Sequence, residues 1–201
     1  MSITLKNLET FMSLKIIVCK SSNDVIGINN SIPWNLPEDL IYFKEQTKNS
    51  VVVMGRNTWE SLPNRPLLDR INVIISNNPS RYFLNDAEYD DPSIKHIFQL
   101  DNDDDAFAEK IQELEKEHGD VWIIGGQKVY DLALDVLDFD EIHVTNILRE
   151  VVPENESDEV AYFPMEKVLA KYIPEEEHAE VFTSVHLPDR ERYTITRYFP
   201  K

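Results

Sequence analysis

Cysteine is almost absent from this chain, which has Cys19 alone among 201 residues. One cysteine cannot form an internal disulfide, and disulfides persist only in oxidising compartments. The composition therefore favours a reducing compartment, and we expect a cytoplasmic protein. Cys19 lies in the apolar run LKIIVC, where a free cysteine is more often a small buried residue than a nucleophile.

Basic side chains are also scarce, because 20 Lys and Arg stand against 37 Asp and Glu and the net charge is −17. This balance argues against nucleic acid and against an anionic membrane as partners. No apolar run approaches the roughly 18 residues of a membrane span. The N-terminal MSITLKNLETF lacks a signal peptide's apolar centre. We expect residues 1–12 to be a loosely ordered extension and residues 13–201 to form one domain.

Glycine is rare as well: only five are present, and four stand at or near the ends of predicted strands, namely Gly27, Gly55, Gly125 and Gly126. A glycine there lets backbone N–H groups approach a ligand, and a helix start attracts phosphate. Gly55-Arg56-Asn57-Thr58 and Gly125-Gly126-Gln127-Lys128 are therefore predicted to bind anions. The alternative is two ordinary strand-to-helix connections. Neither turn matches the Rossmann glycine fingerprint, and the five histidines lack metal-ligand spacing, so no metal site is predicted.

Apolar runs rich in β-branched residues alternate with helical patterns along most of the chain. LKIIVC, SVVVMG, RINVIIS and DVWIIGG are typical of buried parallel strands. Residues 180–186 and 192–199 alternate like an antiparallel pair. The sequence predicts a single-domain α/β fold with a mostly parallel central sheet, an antiparallel C-terminal edge hairpin and flanking helices. Ligands in such sheets bind beyond the carboxyl ends of the strands.

One stretch, DVIGINNSIPWNLPEDLIYFKEQT, predicts a strand end, a loop and then a helix that begins near Pro37. Leu36, Leu40 and Phe43 form one apolar stripe of that helix, with Asp39 on its edge and Glu38 pointing away. A carboxylate beside apolar side chains can accept two adjacent N–H donors of a flat ligand, and burial should raise its pKa. The alternative for Asp39 is a first-turn acid that only stabilises the helix.

Taken together, VIGINNSIPWNLPEDLIYFK, VVVMGRNTWESL, RPLLDRINVIIS and VWIIGGQKVY resemble dihydrofolate reductase in order and spacing. The resemblance runs from about residue 14 to residue 201. It implies that family's fold and an NADPH-dependent reduction of 7,8-dihydrofolate to 5,6,7,8-tetrahydrofolate. It also implies a role in one-carbon and thymidylate metabolism, and that the protein would be a target of antifolates.

The resemblance further implies a role for individual residues. Asp39 would bind the amidine edge of the pterin, and Thr145 would hydrogen-bond that acid. Trp34, with Ile32, would lie on a mobile loop over the nicotinamide. Arg70 would clamp the carboxylate of the substrate's glutamate tail. The remaining substrate-binding positions implied are Ile17, Val18, Leu40, Phe43, Leu62, Leu67 and Ile124.

The coenzyme would be held mainly by the two glycine turns, and the resemblance implies a cis peptide between Gly125 and Gly126. The coenzyme-binding positions implied are Cys19, Ile26, Gly27, Gly55, Arg56, Asn57, Thr58, Ser76, Asn77, Gly125, Gly126, Gln127, Lys128, Val129 and Tyr130. Asn77 stands where many relatives place Ser or Arg near the 2′-phosphate, so the preference for NADPH rests mainly on Arg56.

Two other functions stay open at this point. One is a reductase of the same fold that acts on another pterin or pyrimidine; the Pro-Trp-x-Leu-Pro-x-Asp stretch argues against it. The other is a catalytically silent nucleotide-binding module, against which Asp39, Arg70 and both glycine turns argue. The expected partner is a small-molecule substrate, and the expected state is a monomer unless the chain is fused to thymidylate synthase.

Overall fold

A computed structural model of the chain describes residues 12–76, 94–98, 104–175, 180–185 and 190–201. Within these ranges lie five helices: α1 Pro37–Thr47, α2 Arg56–Ser61, α3 Asp104–His118, α4 Gln127–Val136 and α5 Met165–Lys171. The strands are β1 Leu14–Ser21, β2 Val25–Ile28, β3 Val51–Gly55, β4 Ile71–Ser76, β5 Ile94–Phe98, β6 Val121–Gly125, β7 Glu141–Ile147, β8 Val160–Tyr162, β9 Tyr172–Pro174, β10 Phe182–Thr183 and β11 Arg192–Pro200.

The central sheet has the strand order β10-β11-β7-β1-β6-β3-β4-β5, with β9 also paired to β11. The pairs from β7 through β5 are parallel, and β11 runs antiparallel to β7, β9 and β10. The predicted mostly parallel sheet with an antiparallel C-terminal edge is therefore confirmed. The carboxyl ends of β1, β3, β4, β6 and β7 meet at one edge, where a ligand site is expected.

Helices cover both faces of the sheet. Strand residues such as Ile16, Val53 and Ile123 pack against α3, α4 and α5 in the larger core cluster. Their sequence neighbours point the other way because successive side chains alternate across a strand. Ile17 and Trp122 accordingly pack toward α1 and α2 in a smaller cluster. The face with the smaller core is the one on which the candidate site forms.

Helix α1 begins at Pro37, as the sequence predicts, with Leu36 at its N-cap and two acids in its first turn. The predicted apolar stripe is only partly buried. Leu36 is buried and Phe43 half-buried, but Leu40 is 59% exposed. Glu38 does not point into water, because it accepts hydrogen bonds from Ser184 Oγ and the Val185 N–H.

Three short elements differ from the sequence-based reading. The polar sequence of residues 21–34 predicts a loop after a strand end, but β2 lies there and pairs with β8 as a separate two-stranded sheet. No sequence pattern predicts helix α5 or strand β9. Their apolar patterns are only a few residues long, and their ends are set by contacts with distant segments. The polar, turn-rich sequence of residues 77–91 predicts a long loop, and this segment lies outside the described residues.

In the described ranges, no helix combines the length and apolar character needed to cross a membrane.

Candidate active site

Asp39 lies on the first turn of α1, close to the carboxyl halves of β1 and β7. Cys19 and Thr145 are direct neighbours across those two parallel strands. Burial raises the pKa of the Asp39 carboxyl, while the Thr145 hydroxyl and the Cys19 thiol lower it. The fold thus directs this acid into a poorly hydrated position, as its place beside the apolar stripe predicted.

The Thr145 hydroxyl faces the same position. Its side chain is 1% exposed, and Oγ1 has no hydrogen-bond partner among the described residues. It lies near enough to Asp39 to influence the pKa of that carboxyl, but the two groups do not meet hydrogen-bond distance and angle. Buried hydroxyls are normally paired, so an unpaired one beside the half-buried Asp39 is suited to a polar ligand or water.

Cys19 is a half-buried neighbour of Asp39 rather than a reactive group. Burial and the Asp39 charge raise the pKa of its thiol well above the usual value, which a nearby Trp34 only partly offsets. A neutral thiol is a poor nucleophile. Cys19 and Trp34 pack together against Leu36, Ile147 and Tyr193.

Arg70 lies just before β4 and is 8% exposed. Its guanidinium carbon is 5.7 Å from the centre of the Phe43 ring. Its Nε has no hydrogen-bond partner among the described residues. Burial lowers the pKa of Arg70 and nearby Asp69 raises it, but guanidinium stays charged in proteins. A buried, fork-shaped cation with an unpaired N–H is well suited to a carboxylate.

The turn that presents Arg70 is held by a residue that sequence reasoning missed. Asn72 on β4 is fully buried, and its side chain accepts from the Leu67 N–H at 2.9 Å. Its amide donates to the carbonyl oxygens of Leu67 at 3.0 Å and Arg70 at 3.2 Å. The only available signal was one polar residue inside the apolar run RINVIIS.

Between Asp39 and Arg70 the sheet supplies an apolar wall. Five of the predicted substrate-binding side chains belong to the smaller core cluster: Ile17, Phe43, Leu62, Leu67 and Ile124. Leu40 is exposed at the rim. Val18 is not brought to this wall, because its side chain packs in the larger cluster on the opposite face of the sheet. Only the backbone of Val18 can therefore contribute to this face.

The two predicted glycine turns lie side by side, because β3 and β6 are adjacent and Met54 pairs with Gly125. A Cβ built on Gly126 would lie 3.2 Å from Thr58 Oγ1, so a larger residue would crowd the opposing turn. The peptide between Gly125 and Gly126 is cis, as the resemblance implies. Val129 and Tyr130 are buried behind the second turn, and the Tyr130 hydroxyl donates to the Ile17 carbonyl at 2.8 Å.

The basic and polar residues of these turns are placed differently from one another. Arg56 is half-exposed and forms an ion pair with Glu60 at 3.5 Å, and Lys128 is exposed at the start of α4. Gln127 accepts from the Tyr162 N–H at 2.8 Å. Asn57 is exposed and Ser76 is buried at the end of β4. Asn77 lies outside the described residues.

The loop that carries Ile32 and Trp34 follows β2. Ile26 and Gly27 on β2 are half-buried, while Ile32 is 61% exposed. Asn29 donates to Asp158 Oδ1 at 2.8 Å, which ties the loop to the segment before β8. The described part of the chain contains no group of three His, Cys, Asp or Glu arranged to hold a metal ion.

Comparisons with known proteins identify one family. A family model described as dihydrofolate reductase matches residues 13–186. A dihydrofolate reductase of Buchnera aphidicola is 33% identical over 157 residues, which cover 78% of this chain and 82% of the relative. A bifunctional dihydrofolate reductase-thymidylate synthase of Paramecium tetraurelia is 30% identical over 140 residues, or 70% of this chain and 27% of the relative.

Among solved structures, a dihydrofolate reductase from Enterococcus faecalis complexed with NADP(H) and RAB-propyl is similar with a TM-score of 0.70. The match covers 95% of this chain and 98% of that one at 23% identity, so it speaks to the fold alone.

The role of Asn72 can be tested by stability. In Asn72→Ala, the backbone groups of Leu67 and Arg70 lose three hydrogen bonds to a fully buried side chain. We expect the free energy of unfolding to fall by about 1–3 kcal/mol, the usual cost of leaving buried polar groups unpaired. Urea unfolding measures it. Asn64→Ala, an exposed asparagine of the same loop, is the control; equal stability of both variants would contradict the assignment.

Proposed function

The chain belongs to the dihydrofolate reductase family, and we propose that it works through the cleft between Asp39 and Arg70. It is an oxidoreductase that uses NADPH to reduce 7,8-dihydrofolate to 5,6,7,8-tetrahydrofolate. The proposal concerns which of its residues bind substrate and coenzyme and what each contributes.

The observation that carries the proposal is the environment of Asp39. A carboxylate with a raised pKa lies beside an unpaired buried hydroxyl, at the carboxyl end of a parallel sheet. Such an acid can accept both N–H donors of a pterin's amidine edge, which are coplanar and adjacent. The Thr145 hydroxyl would supply a further polar contact at that edge. An acid that only stabilises the start of a helix requires neither a raised pKa nor an unpaired hydroxyl beside it.

Arg70 extends the site toward the substrate's tail. Its unpaired Nε and its position over Phe43 support binding of a carboxylate at the far end of the apolar wall. This feature also supports a substrate with a glutamate tail over a smaller pterin or pyrimidine. A catalytically silent module would not need a buried arginine with an unpaired Nε together with a half-buried acid of raised pKa.

The glycine turns fit a dinucleotide coenzyme. NADPH, when bound, supplies the hydride. A Cβ on Gly55 would lie 3.1 Å from Val129 and one on Gly126 would lie 3.2 Å from Thr58, so the two turns pack too closely for larger residues. Each turn precedes a helix start, where backbone N–H groups can bind phosphate oxygens. Arg56 and Lys128 supply local positive charge on a protein of net charge −17. Cys19, Ile26, Gly27 and Trp34 would bound the nicotinamide side of the cleft.

Asp39 would contribute electrostatics rather than a direct proton transfer. Reduction places a hydride on C6 and a proton on N5 of the pterin. A negative charge at the amidine edge favours a protonated ring, and a water near the ring would deliver the proton. Because the apolar wall excludes bulk water, the charge acts at lower effective dielectric than in solution.

The remaining expectations concern the protein as a whole. We propose that residues 13–201 form the catalytic domain and that residues 1–12 are an extension, which agrees with a family match that begins at residue 13. We also propose a cytoplasmic location, supported by the single cysteine. A monomer is proposed, unless the chain is part of a fusion like the bifunctional relative.

Asp39→Asn tests the central assignment. The substitution keeps the shape and removes the charge, so we expect hydride transfer to slow by about 10²–10⁴-fold at neutral pH. The rate should partly recover as pH falls, because substrate already protonated in solution needs less assistance. NADPH affinity should barely change. The measurement is the single-turnover rate from about pH 5 to 9, the range in which a desolvated carboxylate could titrate.

Glu38→Gln is the matched control, since it neutralises the adjacent acid of the same helical turn. Glu38 bonds Ser184 and Val185 rather than facing the cleft, so its loss should leave the rate and pH profile nearly normal. Near-normal activity of Asp39→Asn would remove Asp39 from the mechanism.

Arg70→Lys tests the substrate tail. An ammonium cannot reproduce the guanidinium fork, so the KM for dihydrofolate should rise by about 10-fold or more, within the cost of losing a charged hydrogen bond. For a dihydropterin without the glutamate tail, the KM and the rate of Arg70→Lys should equal those of the parent enzyme. Arg65→Lys, in the exposed loop before Arg70, is the control. Equal losses with both substrates would make Arg70 structural.

Arg56→Ala tests the coenzyme's 2′-phosphate. We expect NADPH to bind at least about 10-fold more weakly, as loss of one charge-assisted contact predicts, while NADH affinity stays the same. Glu60→Gln removes the ion-pair partner of Arg56 and should not lower the affinity for NADPH. Equilibrium titration with both coenzymes measures the difference. Parallel losses for NADPH and NADH would show that Arg56 does not read that phosphate.

A further inference from the structure

A second polar contact links helix α1 to strand β7, one step away from Asp39 and Thr145. The Tyr42 hydroxyl lies 2.8 Å from His143 Nδ1, and His143 Nε2 lies 2.8 Å from Glu141 Oε2. Tyr42 is three residues beyond Asp39 on the helix, and His143 is two residues before Thr145 on the strand. The two pairs therefore lie side by side between the same two elements.

The direction of each hydrogen bond follows from chemistry. An ionised Glu141 can only accept, so His143 Nε2 must carry the proton that it donates. In a neutral ring Nδ1 is then the acceptor, and the Tyr42 hydroxyl donates to it. Burial lowers the pKa of His143, although Glu141 opposes this, so the ring is neutral at pH 7. Burial likewise raises the pKa of Tyr42 to about 12, which keeps its hydroxyl protonated.

Rigid surroundings hold the imidazole in place. His143 is 3% exposed, and its ring meets the Trp122 ring edge-on, with centroids 5.0 Å apart. The charged groups that face it are Glu141 on its own strand, Lys15 on β1 and Arg197 on β11. Lys15 is itself paired with Asp120, and Arg197 with Glu175. Both cations disfavour a charged imidazole.

We propose that Tyr42, His143 and Glu141 are positioning residues that fix α1 on β7 and so set the placement of Asp39 against Thr145. The proposal rests on the substrate-binding role given to Asp39. Asp39 interacts with Thr145 and Cys19 at the same junction, and the hydrogen bond between Tyr42 and His143 is a further link between helix and strand one turn along. Because one helical turn separates Asp39 from Tyr42, a shift at Tyr42 moves the carboxylate with it.

The contact depends on the charge state of His143. A protonated imidazole donates from both nitrogens, so the Tyr42 hydroxyl loses its acceptor and must turn to accept instead. A histidine whose pKa is lowered by folding stabilises the fold above its unfolded pKa, near 6.5, and this stability is lost as the pH falls below that value. Dihydrofolate affinity should weaken only as the pH falls through the lowered pKa of His143 in the folded protein.

Tyr42→Phe is the decisive variant, because it removes one hydroxyl and keeps the ring. We expect dihydrofolate to bind about 2- to 12-fold more weakly at neutral pH, which corresponds to one neutral hydrogen bond. NADPH affinity should stay unchanged, and the part of the acid-side loss of dihydrofolate affinity that follows the titration of His143 should disappear. Tyr198→Phe is the control, since that half-buried tyrosine packs in the larger cluster on the opposite face of the sheet.

A spectroscopic readout tests the same contact without activity. Imidazole nitrogen chemical shifts, measured by NMR and assigned with His143→Phe, should show a ring protonated at Nε2 that titrates below the ordinary histidine pKa. Glu141→Gln should relax that preference, because an amide can donate as well as accept. An Nδ1-protonated ring, or an ordinary titration, would overturn the proposal.

The outcomes also separate this proposal from the one it rests on. If Asp39→Asn loses activity but Tyr42→Phe binds dihydrofolate normally, the positioning role is wrong and the assignment of Asp39 stands. If Tyr42→Phe weakens dihydrofolate and NADPH equally, the contact only stabilises the fold and the positioning role is also wrong. A near-normal Asp39→Asn would instead remove the assignment of Asp39 itself.

Discussion

The candidate site depends on keeping one half-buried carboxylate, Asp39, in a place where water only partly compensates its charge. Burying an acid is costly unless polar groups or a ligand take over from solvent. Here the Thr145 hydroxyl and the Cys19 thiol lower the pKa of the carboxyl but do not offset burial, which still raises it, so polar groups of a ligand are left to complete the task. The sheet supplies Cys19 and Thr145 from the adjacent parallel strands β1 and β7. The pKa of Asp39 therefore depends on these two strands being neighbours in the sheet.

Charge is arranged against the trend of the whole molecule. A protein of net charge −17 must hold its anionic ligands with a few selected cations. Arg70 is buried and oriented by the turn that Asn72 clamps, whereas Arg56 is half-exposed and already engaged with Glu60. The buried Arg70 is suited to a directional contact with a carboxylate. The half-exposed Arg56 can leave Glu60 and bind a phosphate instead.

Local patterns were enough to predict the parallel strands, the start of α1 at Pro37 and the two glycine turns, because each is encoded in a few neighbouring residues. The β2–β8 pair and α5 could not be found this way, since their short segments are defined by partners elsewhere in the chain. The same holds for Asn72 as a clamp and for the contact of Tyr42 with His143, whose residues lie 101 positions apart. The side-chain direction of Val18 followed from strand alternation, which a motif match does not take into account.

Strand β1, the first of the sheet, lies between β6 and β7 and pairs with residues more than 100 positions later. Contacts this distant in sequence close slowly, because the intervening chain must first be ordered. During synthesis, a growing chain must therefore extend beyond residue 147 before the middle of its sheet can form. Until then the apolar strands β1, β3 and β4 lack some of their sheet neighbours. A chain at that stage exposes apolar surface that chaperones bind.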